Sequence, residues 1–215
     1  VPAPPPTPPR DEPSPSQASP ARGLVSAVES ADVLVPRRAL GRAGEAPLIP
    51  GNAVTLLRDG PQVYGAWLED IARAERFILF ENYIINGDRT GTQIAEALAA
   101  RAEAGVPVFV LYDWFGCIGT SRRLWRRLEA AGVVVRAFNT ARLTAPVDAF
   151  RRDHRKFLCV DGRVAYIGGL CVGDPWAGDP ARGVPPWRDT AVRIIGPAAL
   201  PACRAFEETW QLAGP

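Results

Sequence analysis

Apolar and polar residues follow two different periods along most of this chain, and together they predict strands separated by helices. Short apolar runs predict buried strands at residues 53–57, 76–85, 106–113 and 133–138. Apolar residues at helical spacing lie between these runs, at residues 61–74, 90–105 and 121–132. The resulting order β-α-β-α-β-α-β is typical of a largely parallel sheet with helices on both faces.

Signals at the segment ends refine this prediction. Thr90 and Gln93 have the spacing of a capping box, which predicts a helix that begins there. The pair Asp161-Gly162 separates two apolar runs and predicts a tight turn between two strands. A last strand and a last helix are expected at residues 189–196 and 197–213.

The start of the chain differs in composition from the rest. Residues 1–21 hold nine of the 22 prolines and almost no large apolar side chains, so a disordered proline-rich leader is expected there. Residues 22–50 form a transitional segment, and residues 51–215 are predicted to form the globular domain. The sequence has no methionine, even at position 1, which favours a processed product or a fragment.

Composition narrows the function without identifying it. The formal net charge of +2 argues against nucleic-acid binding through bulk charge. Four widely spaced cysteines with no C-x-x-C pair indicate isolated thiols, although a disulfide stays open if the chain is exported. No apolar run approaches the length of a membrane span.

The candidate chemistry lies in the stretch RRDHRKFLCVDG, which holds the one histidine, His154, and the one lysine, Lys156. Side chains two apart on a strand share a face, so the imidazole and the ammonium should project together. An imidazole can attack phosphorus or carry a proton, and an ammonium can bind phosphate oxygens. The pattern therefore predicts a phosphate-handling site, the alternative being an exposed pair without a function.

The spacing H-x-K-x(4)-D, followed by a Gly-Gly step, resembles the HKD motif of the phospholipase D superfamily. Flanking stretches such as FENYII, GDRTG and PWRDTAVRIIGPA extend this resemblance over about residues 47–213, and they are similar to the amino-terminal half of a bacterial cardiolipin synthase. The resemblance implies a phospholipase D-like α/β/α sandwich with a mixed, largely parallel sheet. It also implies catalysis through a phosphohistidine, with no metal and no cofactor.

The resemblance also implies roles for the motif residues. His154 would be the nucleophile or its acid/base partner, and Lys156 would hold the phosphate. Asp161 would orient these groups. The amides around Gly168 and Gly169 would approach the phosphate, where a side chain would interfere.

Three further residues are candidates for substrate contact. Cys171 stands where the family commonly has a phosphate-contacting asparagine, which either weakens turnover or leaves that task to another group. Glu81, inside a predicted buried strand, either orients an imidazole or forms a buried salt bridge with an arginine. Asp113 ends a strand, where open α/β sheets contact ligands, although capping of a helix would also explain it.

With one motif and one histidine, the two-histidine mechanism of the family cannot be completed by a single copy of this chain. The expected partner is a second HKD half, either in the same polypeptide or in a homodimer. The expected function is phosphodiester transfer on an anionic phospholipid such as phosphatidylglycerol, by phosphatidyl transfer or hydrolysis. The alternatives are a dimeric single-motif nuclease and a non-catalytic lipid-binding half-domain. Peripheral association with a bacterial membrane surface is expected, and no nucleic-acid partner.

Overall fold

Seven strands form one mixed sheet in the order β1-β7-β6-β5-β2-β3-β4. The computed structural model describes residues 48–139 and 152–213, so the predicted leader and the transitional segment up to residue 47 lie outside the described residues. The strands are β1 Ala53–Arg58, β2 Ile78–Asn82, β3 Val108–Asp113, β4 Val134–Phe138, β5 Phe157–Val160, β6 Val164–Gly168 and β7 Thr190–Ile195.

Five α-helices alternate with these strands in the described part of the chain. They are α1 Asp59–Ala72, α2 Arg89–Glu103, α3 Arg122–Ala130, α4 Asp174–Ala177 and α5 Ala199–Leu212, and a 3-10 turn follows α4 at Pro180–Arg182. Each predicted strand and helix is present. The short helix α4 and the 3-10 turn were not predicted, because their proline- and glycine-rich segment shows no helical period.

Parallel pairing is confined to one side of the sheet. Strand β3 pairs in parallel with β2 and with β4, whereas the other four strand pairs are antiparallel. The prediction of a mixed sheet is therefore confirmed. Its parallel pairing is limited to these three strands. The β5–β6 hairpin at Asp161-Gly162 inserts antiparallel pairing in the centre, and β1 pairs with the last strand instead of its sequence neighbour.

Helices cover both faces of the sheet, as the apolar periodicity predicts. One face packs against α1, α2 and α3, with Trp67 of α1 in edge-to-face contact with Phe80 of β2 and Tyr166 of β6. The other face packs against α5 through Phe206 and Cys203. The centre of the sheet is therefore buried on both sides. This packing fixes the ends of the strands at which the site lies.

Helix α2 begins with a different cap from the predicted one. Asp88 is the N-cap, and its carboxylate accepts a hydrogen bond from the backbone N–H of Gly91 at 2.9 Å. The Thr90 hydroxyl instead donates to the Asp174 carboxylate at 2.6 Å. The predicted capping box at Thr90 is therefore wrong, because a carboxylate two residues earlier reaches the free N–H groups.

The Asp161 carboxylate ties the β5–β6 turn to the start of β2. It accepts hydrogen bonds from the backbone N–H groups of Glu75 at 3.0 Å, Arg76 at 2.7 Å and Phe77 at 3.0 Å. Burial by itself would raise the pKa of Asp161, but these three donors outweigh it and hold the pKa below its ordinary value. The backbone of Asp161 is left-handed, with φ of 59°, as a turn of this kind requires.

Replacing Asp161 with asparagine is expected to lower the free energy of unfolding at pH 7 by about 1–3 kcal/mol, because a neutral amide has one oxygen to offer three N–H donors. Asparagine tolerates the left-handed backbone, so the substitution isolates the loss of the carboxylate. Urea unfolding measures the effect. The difference from wild type should shrink as the pH falls through the lowered pKa of Asp161, and equal stabilities at pH 7 would contradict this role.

Candidate active site

The chain's one histidine and one lysine lie at the edge of the sheet where β2 ends and β5 begins. The antiparallel register sets Glu81 of β2 opposite Phe157 of β5, so the chain just before β5 runs beside the residues that end β2. On the other side, the backbone N–H of Gly168 in β6 donates to the carbonyl of Lys156 at 3.4 Å. The motif segment therefore extends from the centre of the sheet between two paired neighbours.

Tyr83, the residue that follows β2, contacts both candidate groups. Its ring centroid lies 4.5 Å from that of His154, and Lys156 Nζ lies 5.1 Å from the same tyrosine ring. The Lys156 ammonium also donates to the His154 carbonyl at 2.7 Å. The two side chains therefore lie on the same side of the segment. Their contact with Tyr83 was not predicted from the sequence, which places Tyr83 inside a strand at residues 76–85, whereas the observed strand ends at Asn82.

The imidazole and the ammonium differ in exposure. His154 is exposed, whereas Lys156 is only 5% exposed. Burial lowers the pKa of Lys156, and the carboxylates of Asp153 and Asp189 oppose that shift without cancelling it. The arrangement sets a desolvated positive charge beside an imidazole that solvent and substrate can reach. Asp189 was not predicted as a neighbour of this charge.

Cys171 lies next to the Lys156 ammonium, at the position where the resemblance places an asparagine. Its side chain is buried, and its backbone carbonyl accepts a hydrogen bond from the Tyr64 hydroxyl at 2.6 Å. Burial raises the pKa of the Cys171 thiol, against the nearby positive charge of Lys156. The thiol is therefore a neutral, weakly polar neighbour of the ammonium, and it offers a phosphate less than an amide N–H would.

The N–H groups of Gly168 and Gly169 are bonded within the sheet. The N–H of Gly168 bonds to the Lys156 carbonyl, and the N–H of Gly169 donates to the carbonyl of Thr190 at 3.1 Å. A Cβ at Gly168 would lie 2.6 Å from that same carbonyl oxygen, and one at Gly169 would overlap an Asp189 carboxylate oxygen. Glycine is required here by close packing against the start of β7, and the expected phosphate-contacting role is not supported.

Asp161 lies at the turn after β5, as the sequence predicts. The whole of β5 separates it from Lys156, a length of about 13 Å at 3.3 Å per residue. Its hydrogen bonds go to the backbone at residues 75–77, directly before β2. These contacts stabilise the turn, and among the described residues none of them supports the predicted orienting role.

Glu81 forms the buried salt bridge that was one of its two predicted roles. Its Oε1 accepts from the Arg155 guanidinium at 2.8 Å, and Arg155 also donates to the Ala205 carbonyl at 2.8 Å and to the Thr209 hydroxyl. Glu81 is fully buried, and Arg155 directly follows His154 in sequence. Glu81 therefore holds the segment next to the histidine, and it does not contact the imidazole.

A second buried acid, Asp153, lies against Glu81. Glu81 Oε2 and Asp153 Oδ2 are both buried without a hydrogen-bond partner among the described residues. Burial, then the nearby Asp153 carboxylate, raise the pKa of Glu81 to about 8 against the attraction of Arg155. A protonated Glu81 relieves the repulsion between two buried carboxylates. Asp153 was not predicted from the sequence.

The Asp113 carboxylate is fully buried and satisfied by the backbone. One oxygen accepts from the N–H groups of Phe115 and Gly116 at 3.0 Å each, and the other accepts from the N–H of Asp153 at 2.9 Å. The expected ligand-contacting role is not supported, because the carboxylate is used to close the loop after β3 and to anchor the residue before His154. The predicted alternative was capping of a helix, but the N–H groups that Asp113 binds belong to the turn after β3.

The described residues contain no group of three or more histidine, cysteine, aspartate or glutamate side chains that could hold a metal ion. The acids nearest the motif are instead engaged with N–H donors or with each other, as described above. The groups left for a substrate are the exposed imidazole of His154 and the Lys156 ammonium. Among the described residues this ammonium makes a single hydrogen bond, to the His154 carbonyl. Two of its three N–H groups therefore remain for an anionic oxygen.

Sequence comparison relates this site to phospholipid enzymes. Residues 67–172 match the family described as "Cardiolipin synthase, PLD-like domain". The chain is 36% identical over 176 residues to cardiolipin synthase A of Pseudomonas syringae, covering 80% of this chain and 36% of that protein. It is 36% identical over 169 residues to the cardiolipin synthase of Oceanobacillus iheyensis, covering 79% of this chain and 35% of that protein. The chain therefore spans about a third of the length of these relatives.

Solved structures share the fold at low sequence identity. Nuc from Salmonella typhimurium, a phospholipase D family member, superposes with a TM-score of 0.57 at 18% identity, covering 75% of this chain and 96% of that one. Phosphatidylserine synthase from Haemophilus influenzae superposes with a TM-score of 0.56 at 14% identity, covering 71% of this chain and 35% of that one. The family match and the cardiolipin synthase relatives show that the chain belongs to the phospholipase D superfamily, and the fold agrees with them.

Proposed function

We propose that this chain supplies one catalytic half of an enzyme that transfers phosphatidyl groups between alcohols, as in cardiolipin synthesis, with hydrolysis as a side reaction. The observation that carries the proposal is the exposed imidazole of His154 beside the buried ammonium of Lys156, both against Tyr83. The identity of 36% to cardiolipin synthases supports a phospholipid as the substrate.

In the proposed first step, a ring nitrogen of His154 attacks the phosphorus of an anionic phospholipid. The bond between phosphorus and the headgroup oxygen breaks, and the released alcohol takes a proton from a general acid. Lys156 donates to a non-bridging phosphate oxygen and offsets the negative charge that grows in the transition state. A phosphatidyl group is then held on the histidine as a phosphohistidine.

In the second step, the hydroxyl of an acceptor alcohol attacks the phosphohistidine and gives its proton to the group that served as acid. The bond between nitrogen and phosphorus breaks, which restores His154. Because the chain has one histidine, a second imidazole for this proton transfer must come from another half or another copy. We propose that such a second HKD half completes the site.

Hydrogen bonds fix the residues on both sides of His154, and this suits a nucleophile that needs a fixed position. Asp113 anchors the N–H of Asp153 on one side of the histidine. On the other side, Glu81 and helix α5 hold the Arg155 guanidinium. A residue fixed on both sides loses little further entropy when it reaches the transition state. Glu81 and Asp113 are therefore proposed as positioning residues.

We propose that the chain acts at a membrane surface. Helix α3 buries Leu124 and Leu128, and it exposes arginine side chains that could contact anionic headgroups, at Arg122, Arg123 and Arg126. Arg127 of the same helix is bound to the carboxylates of α2 and is less available. Among the described helices, none is both long and apolar enough to cross a bilayer.

The first test is intact-mass analysis of the chain after incubation with phosphatidylglycerol vesicles, with glycerol release followed in the same sample. We expect a phosphatidyl adduct on the wild type and none on the His154→Asn variant, because no other imidazole is present. The samples are kept at neutral pH, because a phosphohistidine hydrolyses in acid.

An adduct that persists in His154→Asn would overturn the assignment of the nucleophile. A folded wild-type chain that forms no adduct would contradict attack by His154, whereas an adduct without repeated glycerol release is the result expected when no second half is present. A parallel incubation with plasmid DNA tests the alternative substrate, since His154-dependent DNA cleavage without any lipid reaction would favour a nuclease.

Lys156→Arg and Lys156→Gln are both expected to slow adduct formation by about 10²- to 10³-fold, the usual effect of losing one preorganised donor at a developing charge. Arginine keeps the charge, but its wider guanidinium does not fit the buried space between Tyr83 and the His154 carbonyl. The rate of adduct formation is measured by quenched-time-point mass analysis. Wild-type rates in Lys156→Arg would show that charge alone is sufficient.

The Glu81 proton makes stability depend on pH. The folded pKa of about 8 lies above the ordinary value of 4.5, so the folded chain holds a proton that the unfolded chain releases. The contribution of this proton to the free energy of unfolding is complete below the ordinary pKa of 4.5, and it is lost as the pH rises toward 8. We expect the Tm of the wild type to fall from pH 6 to pH 9, and Glu81→Gln to flatten that fall. Glu208→Gln, on exposed surface, is the matched control and should keep the wild-type slope.

A further inference from the structure

Two cysteine side chains meet in the interior between the motif strand and the last helix. Cys159 lies in the middle of β5, Cys203 lies in α5, and their Sγ atoms are 2.8 Å apart although the residues are 44 positions apart in sequence. Both are buried. This separation is less than 1 Å longer than a covalent S–S bond of about 2.05 Å, and it is closer than two unbonded sulfur atoms normally lie.

The other two cysteines lie on different parts of the molecule. Cys117 contacts the backbone at Tyr83 and Ile85, and Cys171 contacts Tyr64 through its carbonyl. Neither belongs to the cluster under α5, which contains Cys159 and Cys203. The fold therefore selects one pairing out of the combinations that four cysteines allow.

We propose that Cys159 and Cys203 are a disulfide site that links the motif strand to helix α5. The bond forms by exchange with a low-molecular-weight or protein disulfide, RS–SR. The thiolate of one cysteine attacks one sulfur of the donor; the RS–SR bond breaks, and the displaced RS⁻ takes up a proton as a first RSH. The sulfur of the other cysteine then attacks the protein sulfur of the mixed disulfide, which breaks its bond to RS and releases a second RSH. The two thiol protons end on the two released RSH molecules.

In the finished fold the two thiols contact each other, and either sulfur can be the hydrogen-bond donor. Both sulfurs are buried in the finished fold, so the exchange is expected during folding, before α5 closes over β5.

The link would act on the structure around the motif. Helix α5 supplies the Ala205 carbonyl and the Thr209 hydroxyl to the Arg155 guanidinium, next to His154. A bond from Cys203 to β5 fixes this helix against the strand that begins directly after Lys156. The oxidised chain would therefore hold the Arg155 anchor more firmly than the reduced chain. This inference does not depend on the proposed phosphatidyl chemistry.

Trypsin separates the four cysteines into four peptides, which makes the test direct. The chain is unfolded with reductant, refolded in a mixture of oxidised and reduced glutathione, alkylated under denaturing conditions and digested without reduction. We expect FLCVDGR, residues 157–163, joined to IIGPAALPACR, residues 194–204, in most molecules. The peptides that hold Cys117 and Cys171, residues 102–122 and 164–182, should be alkylated.

Thermal unfolding supplies an independent readout. The linked chain is expected to unfold on the order of 5–10 °C above the reduced chain, because the link restricts the unfolded state. Cys203→Ala should abolish both the linked peptide and the difference in Tm between oxidising and reducing buffers. Cys171→Ala, at a cysteine outside the pair, is the matched control and should keep both.

Two results would overturn the proposal. The first is a refolded chain with native circular dichroism in which Cys159 and Cys203 are both alkylated. The second is a linked peptide that joins Cys159 or Cys203 to one of the other cysteines. The wild-type peptide map shows whether either result occurs, even where a cysteine variant does not fold.

Discussion

The antiparallel pairing of β5 with β2 is the contact on which the rest of this site depends. It sets Glu81 opposite Phe157 and so brings the segment before β5 beside Tyr83 at the end of β2. The Asp161 carboxylate secures the other end of the same pairing through three N–H groups at the start of β2. A slip of one residue would turn each side chain of β5 to the opposite face. The register therefore decides whether an imidazole and an ammonium reach the same tyrosine.

Burying carboxylates around the motif costs free energy, and neighbouring polar groups offset that cost. Glu81, Asp113 and Asp153 are all buried within a few residues of the site, where an isolated carboxylate would be strongly unfavourable. Backbone N–H groups satisfy Asp113, the Arg155 guanidinium binds Glu81, and the raised pKa of Glu81 favours its neutral form beside Asp153. These acids hold the chain on both sides of His154, which leaves its side chain exposed for chemistry.

The described site offers one imidazole, and the chain covers about a third of the length of its cardiolipin synthase relatives. An ammonium with N–H groups to spare and an exposed imidazole provide for attack on phosphorus and for binding of its oxygens. They do not provide an acid for the leaving alcohol. A second half that brings its own imidazole would supply that proton.

Much of the fold could be predicted from the sequence, because apolar periodicity reports which faces are buried. The strands, the long helices, the turn at Asp161-Gly162 and the helices on both faces all follow from local patterns. Pairing partners could not be predicted in this way, since β1 joins the last strand across most of the chain. The capping box at Thr90 failed for a local reason, because Asp88 supplied a better acceptor.

The sequence by itself determined that one imidazole and one ammonium lie two residues apart, in a pattern that resembles the HKD motif. Only the tertiary structure decided what their neighbours do. Asp161 and the Gly168-Gly169 pair have motif spacing, yet their hydrogen bonds and close contacts serve the turn and the start of β7. Tyr83, Asp153 and Cys203 belong to no motif, yet long-range packing brings them to His154, Glu81 and Cys159. The sequence shows which residue types occur and how far apart they lie along the chain. Hydrogen bonds and burial depend instead on which distant segments the sheet brings together.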